Sequence, residues 1–277
     1  MASTSEVLQI SPEVQQSKSS SIIELGLFFL GSYVIALLLS TAVHEIGHAL
    51  AMATIPINFR LVLNPFSNSM TMPLSSIPTD YFAFVLSAGT ILELAVGTLV
   101  IILLWRWRST KLVPLLMIAP LSYLTSAGYF LVGLAIPEGD TALLIAMGVP
   151  ALVIQALGVL MLVFGVILLV LLFPLLGLSR DDSFRKVLMI LFLGMVLHGF
   201  GMIAFALIFN PLELYIGIAN VVSMIVSALM LAAIFTRGGH YLDRISHSQV
   251  ATLERSTVLY VTGLALIFIV AELIFFN

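Results

Sequence analysis

Long apolar runs constrain this chain more than any other feature of its sequence. They lie at 22–53, 81–105, 112–136, 150–177, 187–209, 213–236 and 256–275. A helix needs about 20 mostly apolar residues to cross a bilayer, and each run reaches that length. The composition agrees, because 9% of the residues are charged, against roughly 25% in an ordinary soluble domain. We therefore predict an all-α, polytopic bundle of about seven transmembrane helices.

The regions outside these runs suggest how the chain is divided. Residues 1–21 are polar and rich in Ser and Gln, which predicts a flexible N-terminal tail. Residues 22–277 form a single transmembrane domain, in which 22–177 make up the core and 187–275 add further helices. The connection at 55–79 alternates weakly and carries turn residues, so we expect a short hairpin or an irregular loop at the membrane surface. Pro150 should separate a short helix at 141–148 from the span that follows.

Basic residues predict how the bundle is oriented. Every Lys and Arg except Arg60 lies in the tail or in alternate connections between the runs. By the positive-inside rule, the N-terminus is expected in the cytoplasm and the C-terminus outside. The net charge of −3 does not suggest a nucleic-acid partner. The chain has no cysteine, so a metal site would have to use His, Asp, Glu or backbone oxygen.

The sequence "HEIGH" places titratable side chains near the end of the first apolar run. His44 and His48 are four residues apart, so on a helix both imidazoles share one face and can bind one metal ion. Glu45 projects about 100° away, where it can reach a water bound by the metal. This is the chemistry of the H-E-x-x-H motif, with zinc as the metal and Glu45 as general base and acid. The alternative is a buried polar cluster that joins helices or conducts protons.

A catalytic zinc site usually has a third protein ligand, and topology selects among the acidic residues. Asp140 lies in a connection expected on the same side of the membrane as the motif, which makes it the favoured third ligand. Glu138, two residues earlier, is its main rival. Asp140 could also serve as the N-cap of the helix that follows it. Other candidates inside or beside the apolar runs are Glu93, His198, Glu213 and Glu272.

Two of these candidates are expected near the middle of the membrane. An ionisable residue at that depth suggests a functional role by default. For Glu93 we expect a buried, hydrogen-bonded or protonated carboxyl, with a supporting role near the site as an option. For His198 we expect a buried core histidine rather than a ligand.

Several segments resemble the site-2 protease family of intramembrane zinc metalloproteases, in its small branch without a PDZ domain. "HEIGHAL" at the end of a transmembrane helix is similar to the first motif of that family. "EGDTALLIAMGVP" is similar to the second motif, which supplies an Asp as the third zinc ligand, here Asp140. "SAGTILELAVG" at 87–97 resembles a helix rich in small residues between the two motifs. The resemblance implies zinc-dependent cleavage of a transmembrane or membrane-proximal protein substrate, which an edge strand within 57–75 could hold.

The sequence therefore predicts a zinc metalloendopeptidase that acts within or at the lipid bilayer. One zinc ion is expected on His44, His48 and Asp140, with Glu45 as the catalytic residue. The alternatives are an inactive, metal-binding relative of such a protease and a transporter that uses the His-Glu cluster as an ion path.

Overall fold

A computed structural model describes residues 20–55, 58, 60–62, 69–71, 77–107, 109–132, 139–179, 181–209, 214–237 and 253–275. It is a helix bundle, as the apolar runs predict. The α-helices are α1 (Ile22–Met52), α2 (Thr79–Leu104), α3 (Val113–Leu116), α4 (Ile118–Val132), α5 (Asp140–Ala146), α6 (Ala151–Leu172), α7 (Phe184–Leu191), α8 (Leu197–Phe209), α9 (Leu214–Arg237) and α10 (Arg255–Phe275). A π-helical turn, Phe192–Val196, joins α7 to α8.

Each predicted apolar run corresponds to one helix or to one set of consecutive short helices. Within the described ranges, five segments are long and apolar enough to cross a membrane, and shorter apolar helices cover Val221–Arg237 and Arg255–Ala271. The five are Ile22–Met52, Thr79–Trp107, Thr110–Leu131, Ala151–Leu176 and Phe184–Gly201. These helices mark a membrane protein, and the side on which each terminus lies stays a prediction.

Helix α1 occupies the centre of the bundle. It packs against α2, α3, α4, α7, α8 and α10, and its side chains Phe28, Phe29 and Ile35 are almost fully buried. Its start is fixed by Ser21, which accepts a hydrogen bond from the Glu24 amide while the Glu24 carboxylate accepts one from the Ser21 amide. The predicted tail therefore ends at a helix cap, while residues 1–19 lie outside the described part. The central position of α1 means that any polar group on its inner face is enclosed by other helices.

The connection after α1 contains a short antiparallel strand pair, which agrees with the hairpin among the two alternatives expected at 55–79. Strand β1 (Arg60–Val62) pairs antiparallel with β2 (Ser69–Thr71), with Arg60 opposite Thr71 and Val62 opposite Ser69. The segment of α1 that carries the histidines therefore leads into a small two-stranded ribbon.

Helix α5 confirms the short element expected before Pro150 but corrects the role considered for Asp140 as its N-cap. The N-cap is Gly139, at φ 86°, and Asp140 is the first helical residue. No side chain caps this helix, and the Asp140 carboxylate points to the histidines of α1 instead. Pro150 is the N-cap residue of α6, so the division at this proline is also confirmed.

Candidate metal site

His44, His48 and Asp140 converge in the interior of the bundle. Both histidines are almost fully buried, at 4% and 3% exposure. The Nε2 atoms of the two rings are 3.1 Å apart. The Asp140 Oδ2 atom lies 3.0 Å from Nε2 of His48 and 3.5 Å from Nε2 of His44. Two residues on α1 and one on α5 thus direct one ligand atom each at a common point.

The spacing of these three atoms suits a metal ion. Tetrahedral zinc binds nitrogen and oxygen at about 2.0–2.2 Å, which places neighbouring ligand atoms about 3.3 Å apart. The observed separations of 3.0 to 3.5 Å bracket that value. A point about 2 Å from all three atoms therefore exists without any movement of the side chains, and three protein ligands leave a fourth position for water or substrate.

The other ring nitrogen of each histidine is fixed by α2. Nδ1 of His48 lies 2.7 Å from the carbonyl oxygen of Val85. Nδ1 of His44 lies 3.0 Å from Oε2 of Glu93. Carbonyl and carboxylate oxygens can only accept, so each Nδ1 carries the proton and each Nε2 presents a lone pair to the common point. Such carboxylate–histidine and carbonyl–histidine pairs are the usual supports of metal-binding imidazoles.

Glu93 of α2 is itself held by donors from two helices, α1 and α4. Its Oε1 atom accepts hydrogen bonds from Ser40 at 2.6 Å and from Thr125 at 2.5 Å. Its Oε2 atom accepts from His44 and, at 3.4 Å, from Ser126. The residue is 1% exposed. The expectation of a buried, hydrogen-bonded carboxyl is confirmed, and its contact with His44 places it next to the candidate metal site.

The charges in this cluster suit a bound cation. Burial raises the pKa of Asp140, but a proton donated by the imidazole of His44 or His48 outweighs burial and lowers the pKa to about 2. Asp140 is therefore ionised at neutral pH, and without a metal ion its carboxylate depends on a proton at one of the two Nε2 atoms. A proton on one Nε2 atom can be donated to only one neighbouring atom. Protons on both Nε2 atoms would clash, because the two nitrogens are 3.1 Å apart. One divalent cation satisfies all three atoms at once.

Glu45 lies beside the cluster without joining the ligand set. It is 8% exposed and close enough to interact electrostatically with His44, His48 and Asp140. No side chain or backbone amide in the described part of the chain donates a hydrogen bond to its carboxyl. Glu45 is thus a buried acidic group next to three candidate ligands, and the described residues leave its carboxyl free to bind a water molecule.

Two glycines allow the helices to approach closely at the site. A Cβ atom at Gly47 of α1 would overlap the Ala88 carbonyl and the Gly89 Cα atom of α2. A Cβ atom at Gly89 would overlap the Nε2 atoms of both His44 and His48. Gly47 thus permits the close approach of α2, and Gly89 leaves the space that the two imidazoles occupy.

Some site residues had a signal in the sequence and others had none. The Val85 carbonyl is a backbone group and carries no side-chain signature. Tyr129 of α4, whose ring centroid lies 5.1 Å from that of His44, was not anticipated and resembles many other aromatic residues in apolar helices. Glu93 could be noticed as an acidic residue deep in an apolar run, but its partner could not be named.

The remaining candidates do not join the described site. His198 is buried in α8 and packs edge-on against Tyr33, with ring centroids 5.8 Å apart, as expected for a core histidine. Glu138 and Glu213 lie outside the described residues, and the same holds for the side chain of Glu272.

Comparisons with known proteins add no relative to this picture. No family model, no curated protein and no solved structure matches the chain. The functional inference therefore rests on the geometry around His44, His48 and Asp140 and on the motifs in the sequence.

Proposed function

We propose that this chain is a zinc-dependent endopeptidase that hydrolyses peptide bonds within or at the membrane. The convergence of two Nε2 lone pairs and one carboxylate oxygen at tetrahedral spacing is the observation that carries the proposal. It is supported by the H-E-x-x-H spacing and by the segment around Asp140, both of which resemble the site-2 protease family. In that family the two segments would meet in space, as they do in this fold.

Each residue of the site would have a separate role in the proposed reaction. His44, His48 and Asp140 would hold the metal, while Glu93 and the Val85 carbonyl would fix the orientation of the imidazoles. Zinc, when bound, would supply a Lewis acid that activates water near neutral pH and polarises the substrate carbonyl. Glu45 would accept the proton that water loses as its oxygen attacks the carbonyl carbon. The same carboxyl would then pass that proton to the leaving amide nitrogen as the C–N bond breaks.

The location of the site also bears on the substrate. α1 is an apolar, membrane-length helix, and His44 lies about 33 Å along it from Ile22, at 1.5 Å per residue. Glu93 and Ser40 form buried polar contacts among helices whose outer faces are apolar. A substrate that reaches this site would be a transmembrane or membrane-proximal segment of a protein.

The Glu45→Gln variant tests this proposal. The substitution removes the base but none of the three ligands, so zinc should stay bound at the wild-type stoichiometry while cleavage falls by about 10²–10⁴-fold. The measurements are elemental analysis of the purified protein and cleavage of transmembrane peptides in proteoliposomes. Equal cleavage by the variant and the wild type would contradict the protease assignment. Iron in place of zinc would contradict the metal assignment, because two histidines and one carboxylate can also bind that ion.

A metal-binding protein without activity and an ion-coupled transporter give different results in the same experiment. The inactive protein would hold zinc in both variants and cleave nothing. The transporter would hold no stoichiometric metal, since its His-Glu cluster would carry protons or ions in transit.

A further inference from the structure

A cavity lies directly beside the candidate metal site. It has a volume of about 180 Å³ and is enclosed by α2, α4, α5 and α6. Asp140 forms part of its wall and is also one of the three candidate ligands. A group inside the cavity would therefore lie next to the metal and next to any peptide bond held there.

The cavity opens towards the outer surface of the bundle. Leu86 and Thr141 form its inner wall and are 1% and 3% exposed. Ile91 and Leu157 stand at its rim and are 60% and 41% exposed. In a membrane protein this outer face meets lipid, so a group carried by a transmembrane segment could enter from the side.

The lining is suited to an apolar side chain. Leucines, isoleucine, phenylalanine and methionine form most of it. Of its hydroxyl groups, that of Ser87 already donates to the carbonyl oxygens of Ala83 and Phe84. Asp140 is the charged residue in this wall, and the rest of the lining offers a charged side chain nothing to replace its lost hydration. The volume is several times the roughly 30 Å³ of a water molecule, which allows a branched or aromatic side chain.

We propose that this cavity is a specificity subsite, which takes an apolar side chain adjacent to the scissile bond of the substrate. The inference rests on the proposed function and adds the class of residue that the enzyme selects. Leucine, methionine and phenylalanine fit the cavity, whereas alanine leaves it unfilled and aspartate or glutamate would lose hydration against its apolar lining. The alternative occupant is a lipid acyl chain. In that case the rate of cleavage would not depend on the residue next to the scissile bond.

Two substitutions of opposite size test the subsite. Leu144 lines the cavity from α5, and Leu144→Ala enlarges it; Leu157→Phe narrows the cavity at its rim. A set of transmembrane peptides that differ in the residues flanking the cleavage site would be incubated with each variant in proteoliposomes. Wild type should prefer leucine over alanine by about 10-fold or more in kcat/KM at one flanking position. Leu144→Ala should shift that preference towards phenylalanine and tryptophan, and Leu157→Phe towards smaller residues, each by about 10-fold.

A matched control comes from Leu160, which is 54% exposed on α6 and is not part of the cavity wall. Leu160→Ala should keep the wild-type preference, and all the variants should retain bound zinc. Unchanged preference in both Leu144→Ala and Leu157→Phe, with active enzyme, would overturn the subsite and favour a lipid occupant. Failure of the wild type to cut any peptide would overturn the proposed function itself, so the two failures are distinguishable.

Discussion

Glu93 offers the sharpest test of how the site is built, because it touches a candidate ligand without being one. Its Oε2 atom accepts the Nδ1 proton of His44 at 3.0 Å, and its Oε1 atom accepts from Ser40 and Thr125. Removing such a partner of a metal-binding histidine usually costs 10- to 100-fold in metal affinity. That range corresponds to about 1.4–2.8 kcal/mol of binding free energy.

The size of the loss in zinc affinity depends on which residue replaces Glu93. In Glu93→Gln the amide oxygen can still accept from His44, while the hydroxyls of Ser40 and Thr125 rotate to accept from the amide NH₂ group. The geometry survives and the charge is lost, so we expect about a 10-fold weaker zinc affinity. Glu93→Ala removes the acceptor altogether and frees the imidazole to rotate, so we expect about a 100-fold loss.

The assay is a competition titration of zinc between the purified protein and a chelator of known affinity. Thr98→Val is the control, because Thr98 joins α2 to Tyr123 of α4 at 2.9 Å and makes no contact with the histidines. It perturbs the same helix pair and should leave zinc affinity unchanged. If Glu93→Ala bound zinc as tightly as Thr98→Val, the reasoning that Glu93 orients His44 would be refuted.

Two further predictions concern the space around the two imidazoles and the effect of bound metal on stability. Gly89→Ala should abolish zinc binding, because its Cβ atom would overlap Nε2 of His44 and His48, while Gly128→Ala on α4 meets no atom within 4 Å and should bind zinc normally. Elemental analysis of both proteins checks this, and a zinc-loaded Gly89→Ala variant would contradict it. Chelation should lower the melting temperature of the wild type, and added zinc should restore it, because a ligand of the folded state alone stabilises that state. If neither chelation nor added zinc changed the melting temperature in a thermal scan, the result would argue against a bound ion.

The helices of this fold were predictable because the bilayer imposes a length on each apolar run. Seven predicted runs correspond to helices that begin or end within a few residues of the predicted bounds, such as Ile22–Met52 for 22–53 and Thr79–Leu104 for 81–105. The proline rule placed the start of α6 correctly at Ala151. The positions of these helices along the chain therefore follow from local sequence features, namely the length of each apolar run and the position of a proline.

The site was predictable in part, for a different reason. His44 and His48 share a face because four residues make about one helical turn, and this spacing is visible in the sequence. Their partners Glu93 and Val85 depend on how α2 is rotated against α1, and that rotation is set by the contact of Gly47 with Ala88 and Gly89. No periodicity along one helix encodes such a rotation. The role of Asp140 as a helix cap was wrong for a local reason, because Asp is a favoured N-cap residue but Gly139 at φ 86° holds that position.

The position of the cluster explains why polar groups are tolerated in the centre of an apolar bundle. Buried carboxylates are costly unless they are paired and hydrogen-bonded. Glu93 meets that condition with protein donors alone, through Ser40, Thr125 and His44. The carboxylate of Asp140, which is partly exposed, faces the Nε2 atoms of His44 and His48, and one cation at their common point could bind all three groups. The fold thus hydrogen-bonds the supporting carboxylate of Glu93 internally and, within the described residues, brings His44, His48 and Asp140 together where a metal ion could bind.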